Sequence, residues 1–317
     1  MKPDDARSLL VYLREDEQPY RARIAECGLE TVFCANETEI EQHISEADII
    51  LGSIAFPGRL LERAARLQWI QVTGAGVDRF LTTAELPQGV RLTRAADVGF
   101  GEQMAEYVFG HLLARAQRVD EIQELQSRKT WRPLTATWLA GRTLGVAGIG
   151  SIGQVIARVA AAFSMQVVGL SRTGRPCHPF ERVFAPEELH EFLAQLDVLV
   201  LALPLTRETT GMIDASALRA MRDDATLVNV ARGAIVDEDA LIEALRHGEI
   251  GAAILDVFCE EPLSKESPLW TLPQVTITSH HAGLNRPEKI AELFLENLRR
   301  FRSGCPLLGE VDPNQGY

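Results

Sequence analysis

Leu144-Gly145-Val146-Ala147-Gly148-Ile149-Gly150-Ser151-Ile152-Gly153, read with the residues that follow it, decides how this chain folds. The run Leu144 to Ile149 is apolar enough for a strand buried on both faces, and Ile152, Val155, Ile156, Val159 and Phe163 then recur at helical spacing. Between strand and helix stand Gly148, Gly150 and Gly153. Glycines at this spacing permit a tight turn and a close backbone approach, so that a pyrophosphate can rest against the unpaired N–H groups of the helix N-terminus. Gln166 to Leu170 supplies a second strand. The pattern thus opens a strand-helix-strand unit, the context that separates a dinucleotide site from the many glycine-rich turns that bind nothing.

The end of that second strand is where an adenosine ribose is read. An acid there accepts from the ribose 2′-hydroxyl and repels a 2′-phosphate, whereas a hydroxyl beside a guanidinium can bind the phosphate. Here the position carries Ser171 and Arg172, followed by Thr173 and, close behind, Arg175. The expected cofactor is NADP(H) in preference to NAD(H), with NAD(H) possible.

Length and composition bound the rest. At 317 residues the chain is long for one core and suits two domains, and 46% hydrophobic residues are ample for packed interiors. A net charge of −12, with no basic run to break it, argues against a nucleic-acid surface. Cys27, Cys34, Cys177, Cys259 and Cys305 are odd in number and scattered, as expected of a reduced, cytoplasmic protein. The start Met1-Lys2-Pro3-Asp4-Asp5 lacks the basic-then-apolar order of a signal peptide, and no apolar run approaches membrane-spanning length. The seven histidines show no metal-binding spacing, so no metal is expected.

Outward from the glycine turn, short apolar strands alternate with helical segments throughout. Before it lie Leu9–Leu13, Thr31–Cys34, Ile49–Gly52, Trp69–Val72 and Val90–Thr93, with helical character at Glu39–Ser45 and Pro57–Arg66. Around and after it lie Val146–Ile149, Val167–Leu170, Val198–Leu203, Leu227–Val230, Ala252–Val257 and Val275–Ile277. Alternation of this kind predicts two doubly wound parallel sheets in an α/β protein, each covered by helices. Gly101 to Arg118 is apolar over much of its circumference, as expected of a helix buried between two bodies, and Pro287 begins a helix with Ile290, Leu293, Phe294, Leu298 and Phe301 on one side. The expected layout is discontinuous: residues 1–96, completed by 286–317, form one domain, and 97–285 the dinucleotide-binding domain, with a cleft between them.

Ligands of doubly wound folds bind at the carboxyl ends of strands. Three residues just past strands stand out there: Arg232 in Asn229-Val230-Ala231-Arg232-Gly233, Glu261 in Asp256-Val257-Phe258-Cys259-Glu260-Glu261, and His280 in Thr278-Ser279-His280-His281-Ala282-Gly283. Singly, each has a plainer account as a surface pair, a solvated acid or a turn histidine. Together they suit reduction of a 2-keto acid. Hydride arriving at the carbonyl carbon leaves charge on oxygen, which an imidazolium can protonate, and a neighbouring carboxylate favours the charged imidazole. A guanidinium holds the substrate carboxylate with paired hydrogen bonds and polarises the carbonyl.

These ordered motifs, together with Thr73-Gly74-Ala75-Gly76-Val77-Asp78 and Leu203-Pro204-Leu205-Thr206, resemble the D-isomer-specific 2-hydroxyacid dehydrogenase family over essentially the whole chain, and within it the NADPH-linked glyoxylate/hydroxypyruvate or 2-ketoacid reductases. The resemblance implies a flavodoxin-like substrate domain beside a Rossmann cofactor domain, and a homodimer formed through the latter. It implies Arg232, Glu261 and His280 as the catalytic arginine, glutamate and histidine. By the same resemblance Gly74, Ala75 and Gly76 offer backbone amides to the substrate carboxylate. Gly148, Gly150 and Gly153 frame the pyrophosphate that Ser151 and Ile152 contact, Leu203 and Pro204 line the adenosine side, Val230 and Ala231 lie beside the nicotinamide, and Asp256 meets its carboxamide.

Two departures stand out, the missing acid at Ser171, which supports the NADP(H) reading, and the residues flanking the histidine. The family usually has proline before its histidine and an apolar residue after it, where this chain has Ser279 and His281. The register of the following Ala282-Gly283 favours His280 over His281. Two alternatives stand beside this reading: formate oxidation on a related fold, which needs no proton transfer to oxygen and is disfavoured by the histidine–glutamate pairing, and a dinucleotide-sensing binding protein, against which the complete catalytic set argues although a few relatives combine both roles. Trp131, Trp138, Phe100 and Leu284 are candidates for the pocket that selects the keto-acid side chain.

Overall fold

The apolar runs form two all-parallel sheets in a computed structural model that describes residues 6–14, 16–25, 27–83, 86–96 and 98–312. The start Met1–Asp5, the expected boundary residue Asp97 and the last five residues lie outside the described residues. Backbone contacts divide the chain into two compact units, Met1–Gly99 with Asn285–Tyr317, and Phe100–Leu284.

The first unit contains β1 (Ser8–Tyr12), α1 (Gln18–Ile24), β2 (Glu30–Phe33), α2 (Glu37–His43), β3 (Ile49–Gly52), β4 (Trp69–Val72), α3 (Asp78–Thr83) and β5 (Arg91–Thr93). Its sheet order is β2-β1-β3-β4-β5. Strands β3 and β4 are buried at every position, as expected where helices cover both faces. The C-terminal helix, Pro287–Arg302, belongs to this unit: Phe294 and Phe301 stack on Trp69 with ring centroids 5.2 and 5.6 Å apart, while Trp69 Nε1 donates to Thr93 Oγ1. Burying each of these rings contributes about 1.5–3 kcal/mol. Buried Asn297 on the same helix donates to Gln71 Oε1 and accepts from the amide of Leu308, tying the tail to the sheet.

The second unit contains α4 (Phe100–Ala116), α5 (Val119–Ser127), β6 (Thr143–Ala147), α6 (Ser151–Ala162), β7 (Gln166–Leu170), β8 (Arg182–Phe184), α7 (Leu189–Ala194), β9 (Val198–Leu201), α8 (Ala215–Ala220), β10 (Thr226–Asn229), α9 (Glu238–His247), β11 (Ala252–Leu255) and β12 (Val275–Ile277). Its sheet runs β12-β11-β10-β9-β6-β7-β8. Strand order reverses between β6 and β9, the switch point at which a doubly wound sheet opens a crevice for its ligand. The glycine turn follows one of those strands and Leu203-Pro204 the other.

Several elements differ from the sequence reading, each for a local reason. Strand β6 stops at Ala147 instead of Ile149, because Gly148 adopts φ +98° and cannot continue a strand. Pro57–Arg66 is only a short 3₁₀ segment, Gly58–Arg63, sufficient to bury Leu60 and Leu61. The helix expected over Gly101–Arg118 ends at Ala116, where Arg118 turns left-handed at φ +57° and starts α5, a helix with no buried residue and hence no apolar stripe to read. Helix α4 packs on α6 inside its own unit. Edge strand β8 is three residues long, with Arg182 exposed and Val183 and Phe184 buried, too short to show alternation. Among the described residues, no helix is long and apolar enough to cross a membrane.

Candidate active site

The glycine turn is dictated by contact distances. A Cβ on Gly148 would lie 2.4 Å from the carbonyl oxygen of Ala202 and 2.8 Å from Leu203 Cα, and one on Gly153 would lie 2.0 Å from the carbonyl oxygen of Gly148. Neither contact is tolerable, so these two glycines let α6 start hard against β6 and the β9 loop. Gly150 is different, with no heavy atom within 4 Å of where its Cβ would be. It is the N-cap of α6 and supplies no side chain to the first-turn amides of Ser151, Ile152 and Gly153. A helix start without a capping side chain, beside open space, fits an anionic group.

At the end of β7, Ser171 Oγ is buried and has no hydrogen-bond partner, while the Ser171 amide donates to the carbonyl of Phe184. A buried hydroxyl without a partner is costly and uncommon in a native fold, so a group that binds there would satisfy it. Arg172, Thr173 and Arg175 beside it are exposed. Leu203 is half-buried and Pro204 exposed, in a loop pinned by Thr209 Oγ1 donating to the carbonyl of Pro204 at 2.8 Å. Uncapped helix, open glycine, orphaned hydroxyl and exposed guanidiniums together fit a dinucleotide carrying a 2′-phosphate.

Beyond β10, Val230 and Ala231 are buried and Arg232 is half-buried. Asn229 shapes this turn, since its Oδ1 accepts from the amide of Ala231 at 3.0 Å and its Nδ2 donates to the carbonyl of Arg232 at 2.9 Å. Arg232 Nη1 donates to the carbonyl of Ala231. The next residue must be glycine: a Cβ on Gly233 would fall 1.9 Å from the carbonyl carbon of Phe258. That approach sets the Arg232 turn against the loop carrying Glu261. Replacing Gly233 with alanine is therefore expected to destabilise this unit by about 3 kcal/mol, or about 6–12 °C in its unfolding midpoint. Differential scanning calorimetry checks this, and an unchanged midpoint contradicts it.

The Glu261 carboxylate is held at both oxygens. Oε1 accepts from the amide of Phe258 at 3.1 Å, and Oε2 accepts from His280 Nδ1 at 2.8 Å. A carboxylate accepts only, so the His280 ring carries hydrogen on Nδ1 and leaves Nε2 to exchange a proton. His280 itself has φ +54°, a left-handed conformation that a non-glycine residue adopts only when its surroundings enforce it. Asp256 at the end of β11 does the enforcing. Its carbonyl accepts from the amide of His280, its Oδ1 from the amide of His281 and from Thr278 Oγ1, and its Oδ2 from the amide of Ala282. The structure thus brings His280, not His281, against Glu261; the His281 ring instead stands edge-on to Tyr107 at 5.6 Å.

In the other unit, Gly74-Ala75-Gly76 follows β4. The carbonyl of Gly74 accepts from the amide of Ala95, that of Ala75 from Arg94 Nη1, and a Cβ on Gly74 would meet Ile54 Cγ2 at 2.5 Å. Of the four pocket candidates, Phe100 is buried, whereas Trp131 and Trp138 are 97% and 78% exposed and Leu284 is exposed as well. Sequence reading passed over Asn229. Its signal was a polar residue ending a buried apolar strand, which only the turn's backbone bonds explain.

A switch-point crevice and a paired histidine and carboxylate at the strand ends define a dinucleotide-dependent oxidoreductase. Residues 109–282 match the family model described as D-isomer specific 2-hydroxyacid dehydrogenase, NAD binding domain. The glyoxylate/hydroxypyruvate reductase A of Citrobacter koseri is 36% identical over 266 residues, 82% of this chain and 85% of that protein. Among solved structures, a D-isomer specific 2-hydroxyacid dehydrogenase of Xanthobacter autotrophicus Py2, in complex with NADPH and MES, is similar at 33% identity and TM-score 0.89, covering 98% of this chain and 100% of that one. The NADPH-dependent glyoxylate/hydroxypyruvate reductase of Sinorhizobium meliloti, in complex with NADP and sulfate, is similar at 31% identity and TM-score 0.89 over the same shares. The chain belongs to the D-isomer specific 2-hydroxyacid dehydrogenase family.

Proposed function

We propose that this protein is an NADPH-dependent reductase of small 2-keto acids, of the glyoxylate and hydroxypyruvate type. The observation that carries this reading is the 2.8 Å contact between His280 Nδ1 and Glu261, which leaves Nε2 for the substrate oxygen. NADPH, when bound, supplies the hydride. The residues that would hold it are the first-turn amides of α6, Ser171 and Arg172 at the 2′-phosphate, Leu203 and Pro204 on the adenosine side, and Val230, Ala231 and Asp256 at the nicotinamide end.

The chain's own residues do the remainder. Arg232 takes the substrate carboxylate in two parallel hydrogen bonds and orients the keto group. His280 delivers a proton from Nε2 to the ketone oxygen as charge develops there. Glu261 keeps the ring in its working tautomer and orientation, because its own second oxygen is fixed by the Phe258 amide. In the reverse direction His280 Nε2 accepts the hydroxyl proton. NADPH consumption with glyoxylate or hydroxypyruvate tests the reading, and binding of NADPH without turnover on any 2-keto acid points to a sensing role instead.

We further propose a homodimer formed through the 100–284 unit. Supporting it are Trp131 and Trp138, carried almost bare on an irregular stretch after α5. Large exposed aromatics grouped on one segment favour a protein interface. Replacing both with alanine is expected to raise the dimer dissociation constant about 100-fold or more, measured by sedimentation equilibrium; an unchanged constant removes this segment from the interface. Five scattered free cysteines support a reducing compartment such as the cytoplasm.

A further inference from the structure

We infer that Tyr107 and Thr278 are positioning residues for His280, forming with Asp256 a three-part relay that locks the turn carrying it. The relay runs Tyr107 O–H to Thr278 Oγ1 at 2.7 Å, and Thr278 O–H to Asp256 Oδ1 at 2.5 Å. Its direction follows from chemistry. Asp256 is a carboxylate and accepts only, so Thr278 must donate to it, and the threonine oxygen is then left to accept from the tyrosine.

Each member is placed to act on the turn. Asp256 is 2% exposed, and it is the common anchor for the amides of His280, His281 and Ala282. The left-handed backbone at His280 is thereby fixed from one side chain and one carbonyl of the same residue. Rotation of the Asp256 carboxylate about its χ2 would release two of those amides together. Thr278 opposes that rotation with a short charge-assisted bond to Oδ1, and Tyr107 fixes the threonine hydroxyl in turn. Tyr107 is 9% exposed on α4, with the His111 ring edge-on at 4.5 Å and the His281 ring at 5.6 Å, so the phenol has little freedom to leave. Burial, with a smaller push from the Asp256 charge and against the lowering by its hydrogen bond to Thr278, raises its pKa to about 12, so the phenol keeps its proton at neutral pH. The hydrogen bond of the His280 imidazole goes to Glu261, so Tyr107 and Thr278 act on it through the backbone of the turn.

The effect is on orientation, because small misplacements of a proton donor are costly to rate while leaving binding contacts intact. The inference rests on His280 being the proton donor of the proposed reaction. The test is steady-state kinetics with NADPH and glyoxylate on Thr278→Val, Thr278→Ser, Tyr107→Phe, the double variant T278V/Y107F, and His280→Gln as reference. Valine keeps the shape of threonine without its hydroxyl, and serine restores the hydroxyl. The expected result is that T278V lowers kcat about 10–100-fold with KM for both substrates within about threefold of the parent. T278S should recover most of that loss, Y107F should lose about 3–10-fold, and the double variant should lose no more than T278V, since the tyrosine works through the threonine.

A full rate in T278V, a failure of T278S to recover it, or additive losses in the double variant would each overturn the relay. A loss confined to KM for NADPH would also overturn it, assigning Thr278 to cofactor binding. H280Q separates the two levels. If it keeps its rate, the reading of the site fails; if it loses its rate while T278V does not, only the relay fails.

Discussion

Replacing His280 with glutamine is expected to lower kcat by about 10²–10⁴-fold, whereas replacing His281 with alanine should change it by no more than about threefold. Two adjacent histidines of equal chemistry are separated here by backbone geometry. His280 turns left-handed at φ +54°, and this presents Nδ1 to Glu261 at 2.8 Å. His281 follows in the same turn but points to Tyr107, and what it gives the site is its amide, which any residue except proline would supply. Glutamine retains hydrogen bonding near the old ring position but cannot carry a proton to oxygen, so binding should survive while the chemical step fails. Glu261→Gln should fall between the two histidine variants, because it loses the carboxylate and keeps an acceptor oxygen. Single-turnover rates with NADPH and glyoxylate decide the ranking. The opposite order for the two histidines would reassign the proton donor.

Replacing Arg172 with alanine is expected to raise KM for NADPH about 10–100-fold and that for NADH less than about threefold. The magnitude is that of one or two charge-assisted bonds to a phosphate, about 1.5–3 kcal/mol, at roughly 1.4 kcal/mol per factor of ten. The selectivity arises because NADH has no 2′-phosphate for the guanidinium to meet. Ser171 strengthens the argument, since its buried Oγ lacks a protein partner at the same strand end. Ser171→Asp should shift the preference in the same sense by another route, disfavouring NADPH by like-charge repulsion while offering NADH a ribose acceptor. Equal losses with both cofactors in the Arg172 variant would refute the phosphate role.

Much of this was legible from the chain. Buried parallel strands are nearly uninterrupted apolar runs, so Ile49–Gly52 and Trp69–Val72 can be read residue for residue. Helix α5, which buries no residue, and strand β8, only three residues long, carry no pattern that can be read in that way. The candidate catalytic residues stood out because each follows a strand. What sequence could not show is how the turns are held. The Arg-Gly step is understood only once Gly233 meets Phe258, and Asn229 only once its two backbone bonds are seen. Likewise Asp256, expected from resemblance to face the nicotinamide carboxamide, has Oδ1 committed to Thr278 and His281, a task that no spacing rule announces.

The most direct test is steady-state turnover of the purified protein with a panel of 2-keto acids of graded size, from glyoxylate and hydroxypyruvate upward, each with NADPH and with NADH. NADPH should be oxidised with the small keto acids at a kcat/KM well above that with NADH, and the product should be the D-2-hydroxy acid where the carbon is chiral. No oxidation of NADPH with any member of the panel would contradict the reductase reading outright.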